Sequence, residues 1–517
     1  MGHLKLTALL IILFTVTYKP CFSQYHEGDT LKFWSVTYID WPPLQGSPQR
    51  EVNAICKKAG YHCYVFVEDS ATQPLQYDID ALVNEFDNHF YDSLTNKYGP
   101  VPDVFDNDSN IFILVLNEQN WGGYFDPGQQ MSDSMVYAIW NRHSCQREII
   151  YIAADAFYAA TEIVAHEFGH LLHWQQDHSP EPLVNPVIFW EDTWVDEGFS
   201  TFAAIYLTEN IYQQNVLDNE AFFVNNPDIP LIYFSNYNQV KLFMLFMFEH
   251  FGKWSYISSL ISNQLNGISG VDSTLNALGF TESFDDAFER WVVANYIDDS
   301  IYEGGKYAYK HYNFPDAFLS GNHASFPTAT MNKTVTSYGS DYIRFISAVP
   351  KPIIIDFTGQ LNSKFRVDFI LKNSSNNHID SVISAPLDSL NHVTFIASDL
   401  GTSYNEVIMA VMNLDSTIHE SNTADYTYSA ATYTSAEQSK KINYITVFPN
   451  PVNDKLFVIS SNNLISHLEI FDIQGRIQFR SEFFNATSAD ISGLAMGVYF
   501  LKIINNEGIF TEKIIKY

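Results

Sequence analysis

Two stretches in the first half of the chain have apolar residues at the three- and four-residue spacing of an amphipathic helix. They cover residues 161–177 and 190–207, and further helical patterns, such as 240–250 and 284–296, lie between residues 208 and 320. Four short apolar runs upstream are typical of strands, at residues 63–67, 111–116, 136–140 and 148–153. Together these patterns predict a mixed sheet packed against helices.

The helical pattern stops at about residue 325. From there to residue 434, short runs of alternating or β-branched residues are separated by turn residues, which is typical of a β-sandwich. The clearest runs are at residues 342–346, 353–357, 365–371, 393–396 and 407–412. A polar linker at 435–443 follows, and residues 444–517 form a last, nearly neutral module.

Residues 1–23 are expected to be a secretory signal peptide. Lys5 precedes an apolar stretch that is too short to span a bilayer, and Cys21 and Ser23 place small residues before a cleavage at Gln24. No later apolar run reaches the roughly 18 residues that a membrane-spanning helix needs. We therefore expect an exported protein without a transmembrane anchor.

The net charge of the chain argues against some classes of binding partner. The chain has 59 acidic and 28 basic residues, a formal net charge of −31. Phosphate recognition requires a basic surface, so this balance argues against nucleic acid as a partner and against electrostatic docking on anionic lipid. Because 46% of the residues are apolar, the chain can bury sizeable cores.

Export permits disulfide bonds. Cleavage of the signal peptide leaves Cys56, Cys63 and Cys145. The close pair Cys56/Cys63, on either side of a turn at Ala59-Gly60, is the best candidate for a bridge, although spacing alone leaves the pairing open.

The first long helical pattern carries a His-Glu-x-x-His motif. His166 and His170 are one turn apart, so both imidazoles project from the same helix face, as two ligands of a tetrahedral zinc ion require. Glu167 is adjacent to the first histidine and can act as a general base on a water molecule activated by the metal. A chance match on an ordinary helix is the alternative.

A third ligand is expected from a carboxylate on the following helix. Glu197 is the best candidate, because the small residues Gly198, Ser200 and Thr201 around it allow a close approach to the metal helix. Asp196 is the competitor, but its position turns it about 100° away.

HEFGH followed by WVDEGFS resembles the gluzincin metallopeptidases and, among them, the hyicolysin family of secreted bacterial endopeptidases. The resemblance covers roughly residues 28–300 and includes GPVPDVFDNDSNIFILV from Gly99 and WGGYFDP from Trp121. It implies an α+β zincin catalytic domain, which we place at residues 24–324. The β-sandwich pattern at 325–434 is then an accessory domain. The resemblance also implies Zn²⁺ bound by His166, His170 and Glu197, with Glu167 as the base.

The same resemblance suggests Tyr237 as a second catalytic residue that stabilises the oxyanion, although Val240 stands where many members have Gly. Tyr233 is the competitor. The loop at residues 178–190, between the second histidine and Glu197, is longer than in thermolysin-like enzymes and is expected to wall the cleft.

Two further sites have two interpretations each. His173 lies one turn beyond His170 and either lines the cleft or is an ordinary surface or supporting histidine. Asp103, Asp106, Asp108 and Asn110 space their oxygens as a Ca²⁺ loop does. A turn that leads into the strand at 111–116 explains them as well.

The last module carries a second resemblance. VFPNPVND from Val447, FDIQGR from Phe471, GVYFLK from Gly497 and the final EKIIKY are similar to the type IX (Por) secretion sorting domain, a small all-β domain. The expected partners are therefore the type IX secretion machinery and a protein or peptide substrate. We expect a secreted or cell-surface zinc endopeptidase that hydrolyses peptide bonds in extracellular proteins. The alternative is a surface binding or adhesion protein that retains a zincin fold without turnover.

Overall fold

The structure is a computed structural model of the 517-residue chain. It describes residues 24–36, 48–101, 105–106, 108–118, 121–177, 191–208, 226–233, 236–310, 317–373, 378–416, 423–433, 445–460, 465–484, 486–505 and 508–517. The expected signal peptide, the loop 178–190 and the linker 435–443 lie outside the described residues. The chain divides into two compact units, Met1–Trp190 with Phe199–Asn210, and Glu191–Gly198 with Ile211–Tyr517.

The first unit is built on a six-stranded mixed sheet. Its strands are β1 (Thr30–Val36), β2 (Gln49–Ala59), β3 (Cys63–Glu68), β4 (Ile111–Leu116), β5 (Gly123–Phe125) and β6 (Ile149–Ala153). Their order is β1-β2-β3-β4-β6-β5, in which β4 is parallel to β3 and β6 and the other pairs are antiparallel. Every residue of β3, β4 and β6 is buried, as expected for parallel strands covered on both faces. These three strands confirm the predictions at 63–67, 111–116 and 148–153.

Five helices follow in the described residues of this part of the chain, of which the first and the fourth pack on the sheet. They are α1 (Gln76–Glu85), which continues through a π-helical turn into α2 (Tyr91–Tyr98), then α3 (Asp133–Trp140), α4 (Ala160–Asp177) and α5 (Thr193–Thr208). The rings of Phe168 in α4 and Phe86 in the π-helical turn pack with their centroids 5.1 Å apart. Helices α4 and α5 confirm the two long helical patterns, and the division between the two units falls inside α5.

The strand predicted at residues 136–140 is wrong, because α3 occupies this segment. Val136 and Trp140, four residues apart, are buried while Tyr137 between them is exposed. This is the period of a helix, and the β-branched and aromatic composition of a short run obscured it.

The predicted disulfide bond is also wrong. Cys56, Cys63 and Cys145 are all free. In the antiparallel register of β2 and β3, Cys56 stands opposite Phe66, three residues beyond Cys63. Three residues of strand span about 10 Å, whereas the Cα atoms of a disulfide lie within about 7 Å of each other.

The second unit begins with helices. The N-terminal turns of α5 belong to it, and α6 (Tyr237–His250), α7 (Trp254–Ile261), α8 (Gly267–Ala277) and α9 (Phe284–Ile297) follow. Trp194 of α5 packs against Phe243 and Phe284, with ring centroids 6.0 and 5.4 Å away. Helices α6 and α9 confirm the patterns at 240–250 and 284–296.

Two sheets then face each other across a shared apolar core. The strands are β7 (Gly321–His323), β8 (Met331–Thr336), β9 (Ser340–Ile346), β10 (Ile353–Gly359), β11 (Phe365–Asn373), β12 (His378–Ala385), β13 (His392–Ala397), β14 (Glu406–Asn413) and β15 (Thr423–Thr432). Their orders are β13-β10-β15-β8 and β12-β11-β14-β9-β7. The five runs predicted as strands lie in β9, β10, β11, β13 and β14 and are confirmed.

The C-terminal region is a separate all-β structure with its own core, which includes Val458, Leu468, Ile470 and Leu501. Its strands are β16 (Ile445–Phe448), β17 (Lys455–Ser460), β18 (Ile465–Asp472), β19 (Ile477–Phe484), β20 (Ala486–Asp490), β21 (Gly497–Asn505) and β22 (Gly508–Lys516). They are ordered β16-β17-β20-β19-β18-β21-β22. The chain therefore has several β-sheet domains, a group of helices and a C-terminal all-β domain.

Candidate metal centre

His166 and His170 face each other on α4. Their Nε2 atoms are 3.1 Å apart and their ring centroids are 4.8 Å apart. Two imidazole nitrogens bound to one tetrahedral zinc ion would be about 3.3 Å apart. Val164, Phe168 and Leu171, on the apolar stripe of the same helix, are fully buried and fix the direction of both imidazoles. The pair therefore has nearly the spacing of two metal ligands.

Helix α5 approaches α4 at small residues. A Cβ atom on Gly169 of α4 would lie 2.9 Å from the Cα atom of Ser200 and 3.0 Å from the Cβ atom of Ala203. Such distances are too short for a real Cβ atom, so the two helices are as close here as a glycine allows.

A second set of contacts holds the same part of α5. The hydroxyl of Tyr98 donates a 2.8 Å hydrogen bond to the carbonyl oxygen of Phe199, and the Phe199 ring packs on His173 with a centroid distance of 4.6 Å. Burial raises the pKa of Tyr98 well above its ordinary value, so the hydroxyl stays protonated and remains a donor. These contacts orient α5 and, two residues before Phe199, the side chain of Glu197.

Glu197 joins the two histidines. One ligand atom each from His166, His170 and Glu197 lies within 4.8 Å of the others, and no other group of three such side chains meets this criterion among the described residues. Two imidazoles and one carboxylate are the donor set of a catalytic zinc site, in which the fourth position is left for water or substrate. The residues present fit a zinc ion, and Asp196 is not a member of the cluster.

Glu167 lies beside the start of strand β5. A Cβ atom on Gly123, the first residue of β5, would be 3.3 Å from Cγ of Glu167 and 2.4 Å from Cγ2 of Ile163. The glycine thus lets the backbone of the edge strand pass directly over this face of α4. Glu167 itself is 7% exposed, which leaves only part of its side chain accessible.

The structure assigns different positions to the other sequence-based candidates. His173 is 2% exposed and packs on Phe199, so it is a buried residue behind the cluster rather than a surface histidine. Tyr237 is the first residue of α6 and is 52% exposed. Its catalytic role stays a prediction, and so does the choice between it and Tyr233.

Two carboxylates of the candidate calcium loop, those of Asp106 and Asp108, have protein partners. Asp106 accepts a hydrogen bond from the amide of Asp108 and lies 3.6 Å from Arg147. Asp108 accepts bonds from the amide of Asn110 and from the hydroxyl of Tyr64. These contacts favour the turn interpretation, and Asp103 lies outside the described residues.

Sequence reasoning missed the residues that position the surroundings of the cluster. Gly169 lies inside the motif, yet the sequence does not show that it contacts α5. The available signal was the glycine between the two histidines, which is weak on its own.

In a comparison with protein families, residues 446–517 match the family described as the secretion system C-terminal sorting domain. This segment is a C-terminal sorting domain. The match confirms the second resemblance drawn from the sequence.

The sorting domain defines the route of the protein. It indicates export by the type IX secretion system to the cell surface or beyond, and therefore interaction with that machinery. None of the helices in the described residues is long and apolar enough to cross a membrane.

Comparison with curated proteins finds no match. Among solved structures, the chain is similar to the pre-peptidase C-terminal domain of collagenase from Bacillus anthracis, at 17% identity over 23% of this chain and 98% of that chain, with a TM-score of 0.16. It is also similar to the β-glucuronidase of Faecalibacterium prausnitzii, at 10% identity over 36% of each chain and a TM-score of 0.13. The extracellular region of zebrafish Gpr126/Adgrg6 matches at 9% identity over 38% of this chain and 31% of that chain, with a TM-score of 0.15. At these scores the likenesses carry no argument about function.

Proposed function

We propose that the protein is an exported zinc-dependent endopeptidase with a zincin-type catalytic domain that resembles the gluzincins, among them the hyicolysin family. The observation that carries this proposal is the convergence of His166, His170 and Glu197 from two helices onto one point. Zinc held there would polarise a peptide carbonyl group and lower the pKa of a water molecule.

Glu167 is the proposed general base. It follows His166 on α4, so it projects from a neighbouring face of the helix, about 100° away from the histidine. From there it would take a proton from the attacking water and deliver it to the nitrogen of the leaving amine as the C–N bond breaks. Its partial burial favours this role, because a carboxylate shielded from bulk water exchanges its proton with the reacting groups rather than with solvent.

Strand β5 is the proposed edge for an extended substrate. It is the last strand of its sheet, and no other strand of the described part of the chain pairs with its outer side. A peptide can add to such an edge through main-chain hydrogen bonds. Because Gly123 lies against Glu167, a peptide on this edge would pass close to the base.

A digest of a broad peptide library by the purified protein, with and without a chelator, tests the proposal. We expect cleavage inside peptides that a chelator abolishes and added zinc restores. Glu167→Gln should keep about one zinc per chain and lower turnover by roughly a hundredfold or more, because it removes proton transfer and leaves the ligands intact. Undiminished cleavage by this variant would contradict the mechanism. Stoichiometric zinc without cleavage of any peptide would favour the non-catalytic binding protein instead.

A further inference from the structure

Arg142 and Asp126 form a buried ion pair away from the metal ligands. Arg142 is 1% exposed and Asp126 is 3% exposed. The guanidinium group meets the carboxylate at two points, Nη1 to Oδ2 at 3.2 Å and Nη2 to Oδ1 at 3.3 Å. It also lies over the ring of Trp140, 5.1 Å from the ring centroid. This two-point geometry fixes the orientation of the carboxylate as well as its position.

Asp126 connects this pair to the end of β5. It directly follows Phe125, the last residue of the strand. Its carboxylate also accepts hydrogen bonds from the amide of Gly128 and from Nε2 of Gln129, both at 3.0 Å. Arg142 therefore holds, through one carboxylate, both the end of the strand and the turn that follows it.

The strand needs such support because its own pairing is short. Only three residues of β5 pair with β6, and its outer edge is the one that a substrate would use. At the other end, Gly123 fixes the strand against α4 at Glu167. A shift of the Asp126 end would therefore tilt the edge relative to the base without disturbing the base itself.

We infer that Arg142 and Asp126 are positioning residues for substrate binding, which hold β5 at the angle that an extended peptide needs to pair with it beside Glu167. This inference rests on the proposed endopeptidase function. It assigns the ion pair to peptide affinity and leaves the chemical step to the metal ligands and Glu167.

The physical cost of the pair supports this assignment. Burying two charges requires desolvation that their attraction barely repays, and buried pairs are often replaceable by apolar residues without loss of stability. Apolar side chains could fill the same space, but they could not accept the hydrogen bond from the amide of Gly128 that Asp126 accepts at the start of the following turn. Nor could they supply a directional constraint on the backbone after Phe125.

Hydrogen exchange on the full chain tests the positioning without any need for activity. Arg142→Lys keeps the positive charge but loses the planar guanidinium group that bonds the carboxylate at two points. Asp126→Asn keeps the shape of the side chain but loses its negative charge. Both should increase the exchange rates of the amides of residues 123–126. The matched control is Arg50→Lys, because Arg50 meets Glu68 at two points, 2.7 and 2.8 Å, in strands β2 and β3 of the same sheet. The control should leave the exchange of residues 123–126 unchanged.

Kinetics then separate positioning from stability. For peptides long enough to pair with β5, Arg142→Lys and Asp126→Asn should raise KM about tenfold, the equivalent of one lost backbone hydrogen bond, with kcat within about twofold of wild type. Arg50→Lys should leave KM unchanged. The inference would be overturned if Arg142→Lys and Asp126→Asn both had the KM and the amide exchange rates of the wild type. It would also be overturned if these variants lost kcat and Arg50→Lys lost it to the same extent. If the wild-type protein cleaves no peptide, the proposed function fails, while the exchange experiment still shows whether the pair holds the strand.

Discussion

Gly169 of α4 lies directly against Ser200 of α5, and a Cβ atom on the glycine would be 2.9 Å from the serine Cα atom. The atom it would meet belongs to the backbone of a helix and cannot rotate away. The contact therefore sets the distance between the two helices and, through them, the distance from Glu197 to the two histidines. A residue that binds no metal thus fixes the dimensions of the ligand set.

We predict that Gly169→Ala weakens both the fold and the metal site. The added methyl group should push α5 away and lower the free energy of unfolding by about 1–3 kcal/mol, the usual cost of overpacking. Zinc affinity should fall roughly 10–100-fold, as it does when groups that support metal ligands are removed. Urea unfolding and zinc competition with a chromophoric chelator would measure the two effects.

Gly198→Ala is the matched control on the other helix. A Cβ atom on Gly198 would lie 3.0 Å from Cε of Met244, the far end of a flexible side chain. The methionine can change rotamer, so we expect little loss of zinc affinity. Equal losses of zinc affinity in the two variants would contradict the assignment of helix spacing to Gly169.

The ligand set itself can be tested by zinc content. Replacement of His166, His170 or Glu197 by Ala should each abolish stoichiometric zinc binding, because two ligands hold the ion far more weakly than three. Asp196→Ala is the control, since its carboxylate is adjacent in sequence but outside the cluster. Elemental analysis of dialysed protein gives the zinc content. A Glu197→Ala protein that keeps one zinc per chain would remove Glu197 from the ligand set.

These contacts also show how much of the candidate site can be predicted from the sequence. Helical periodicity places His166 and His170 on one face, and the small residues of the next helical pattern favour Glu197 over Asp196 as the third candidate. The sequence also suggested that small residues on α5 allow a close approach, but it could not say which ones face α4. Gly198 turns to Met244, whereas Gly169, Ser200 and Ala203 make the contact. That depends on how the two helices cross, which no local pattern encodes.

The wrong predictions have related causes. Residues 136–140 were predicted as a strand because of their β-branched and aromatic composition. Their helical period is visible in only two buried side chains. For Cys56 and Cys63, closeness in sequence suggested a bridge that the strand register excludes. The turn lies later than the predicted Ala59-Gly60, because Ala59 is still in β2 and pairs with Tyr64 of β3. Cys63 is therefore next to the turn while Cys56 is several residues away from it, and the sequence pattern does not show where the turn is centred.

Tyr237→Phe tests the proposed oxyanion donor. If the hydroxyl stabilises the negative charge that develops on the carbonyl oxygen, its removal should lower kcat roughly a hundred- to a thousandfold. Zinc content and stability should hardly change, because the residue is half-exposed and the start of α6 is capped independently by the side chain of Asn236. Steady-state kinetics would be compared with Tyr233→Phe. Wild-type turnover in the Tyr237 variant and a loss in the Tyr233 variant would reverse the assignment.

A buried carboxyl group in the second unit should contribute less to stability as the pH rises. Asp368 of β11 is 1% exposed, and burial, together with the neighbouring Glu289 of α9, raises its pKa well above the ordinary value. Arg366 and Ser384 also face this pair, and both act to lower the pKa of Asp368. The folded state therefore holds a proton that the unfolded chain has already released. The stabilisation is complete below the ordinary aspartate pKa and is lost as the pH rises through the folded-state pKa.

Asp368→Asn should flatten this dependence, since an amide keeps a hydrogen-bond donor and cannot ionise. The difference in free energy of unfolding between the wild type and this variant should change by up to about 1.4 kcal/mol per pH unit within the titration window of Asp368. Urea midpoints between about pH 5 and pH 8 would show it. Asp356→Asn, at a half-exposed position of β10, is the control and should follow the wild type. A wild-type slope in the Asp368 variant would show that another group carries the proton.

Removal of the sorting domain should separate export from catalysis. The domain has a core of its own, so deletion of residues 444–517 should leave the rest of the chain folded. A protein that lacks it can still leave the cytoplasm by its expected signal peptide, but it has no element for the type IX machinery to recognise. We therefore expect the shortened protein to accumulate in the periplasm with zinc content and peptide cleavage equal to those of the full chain. Cell fractionation followed by immunoblotting and a peptide assay would measure both properties. Normal amounts of the shortened protein in the medium would show that export depends on another part of the chain.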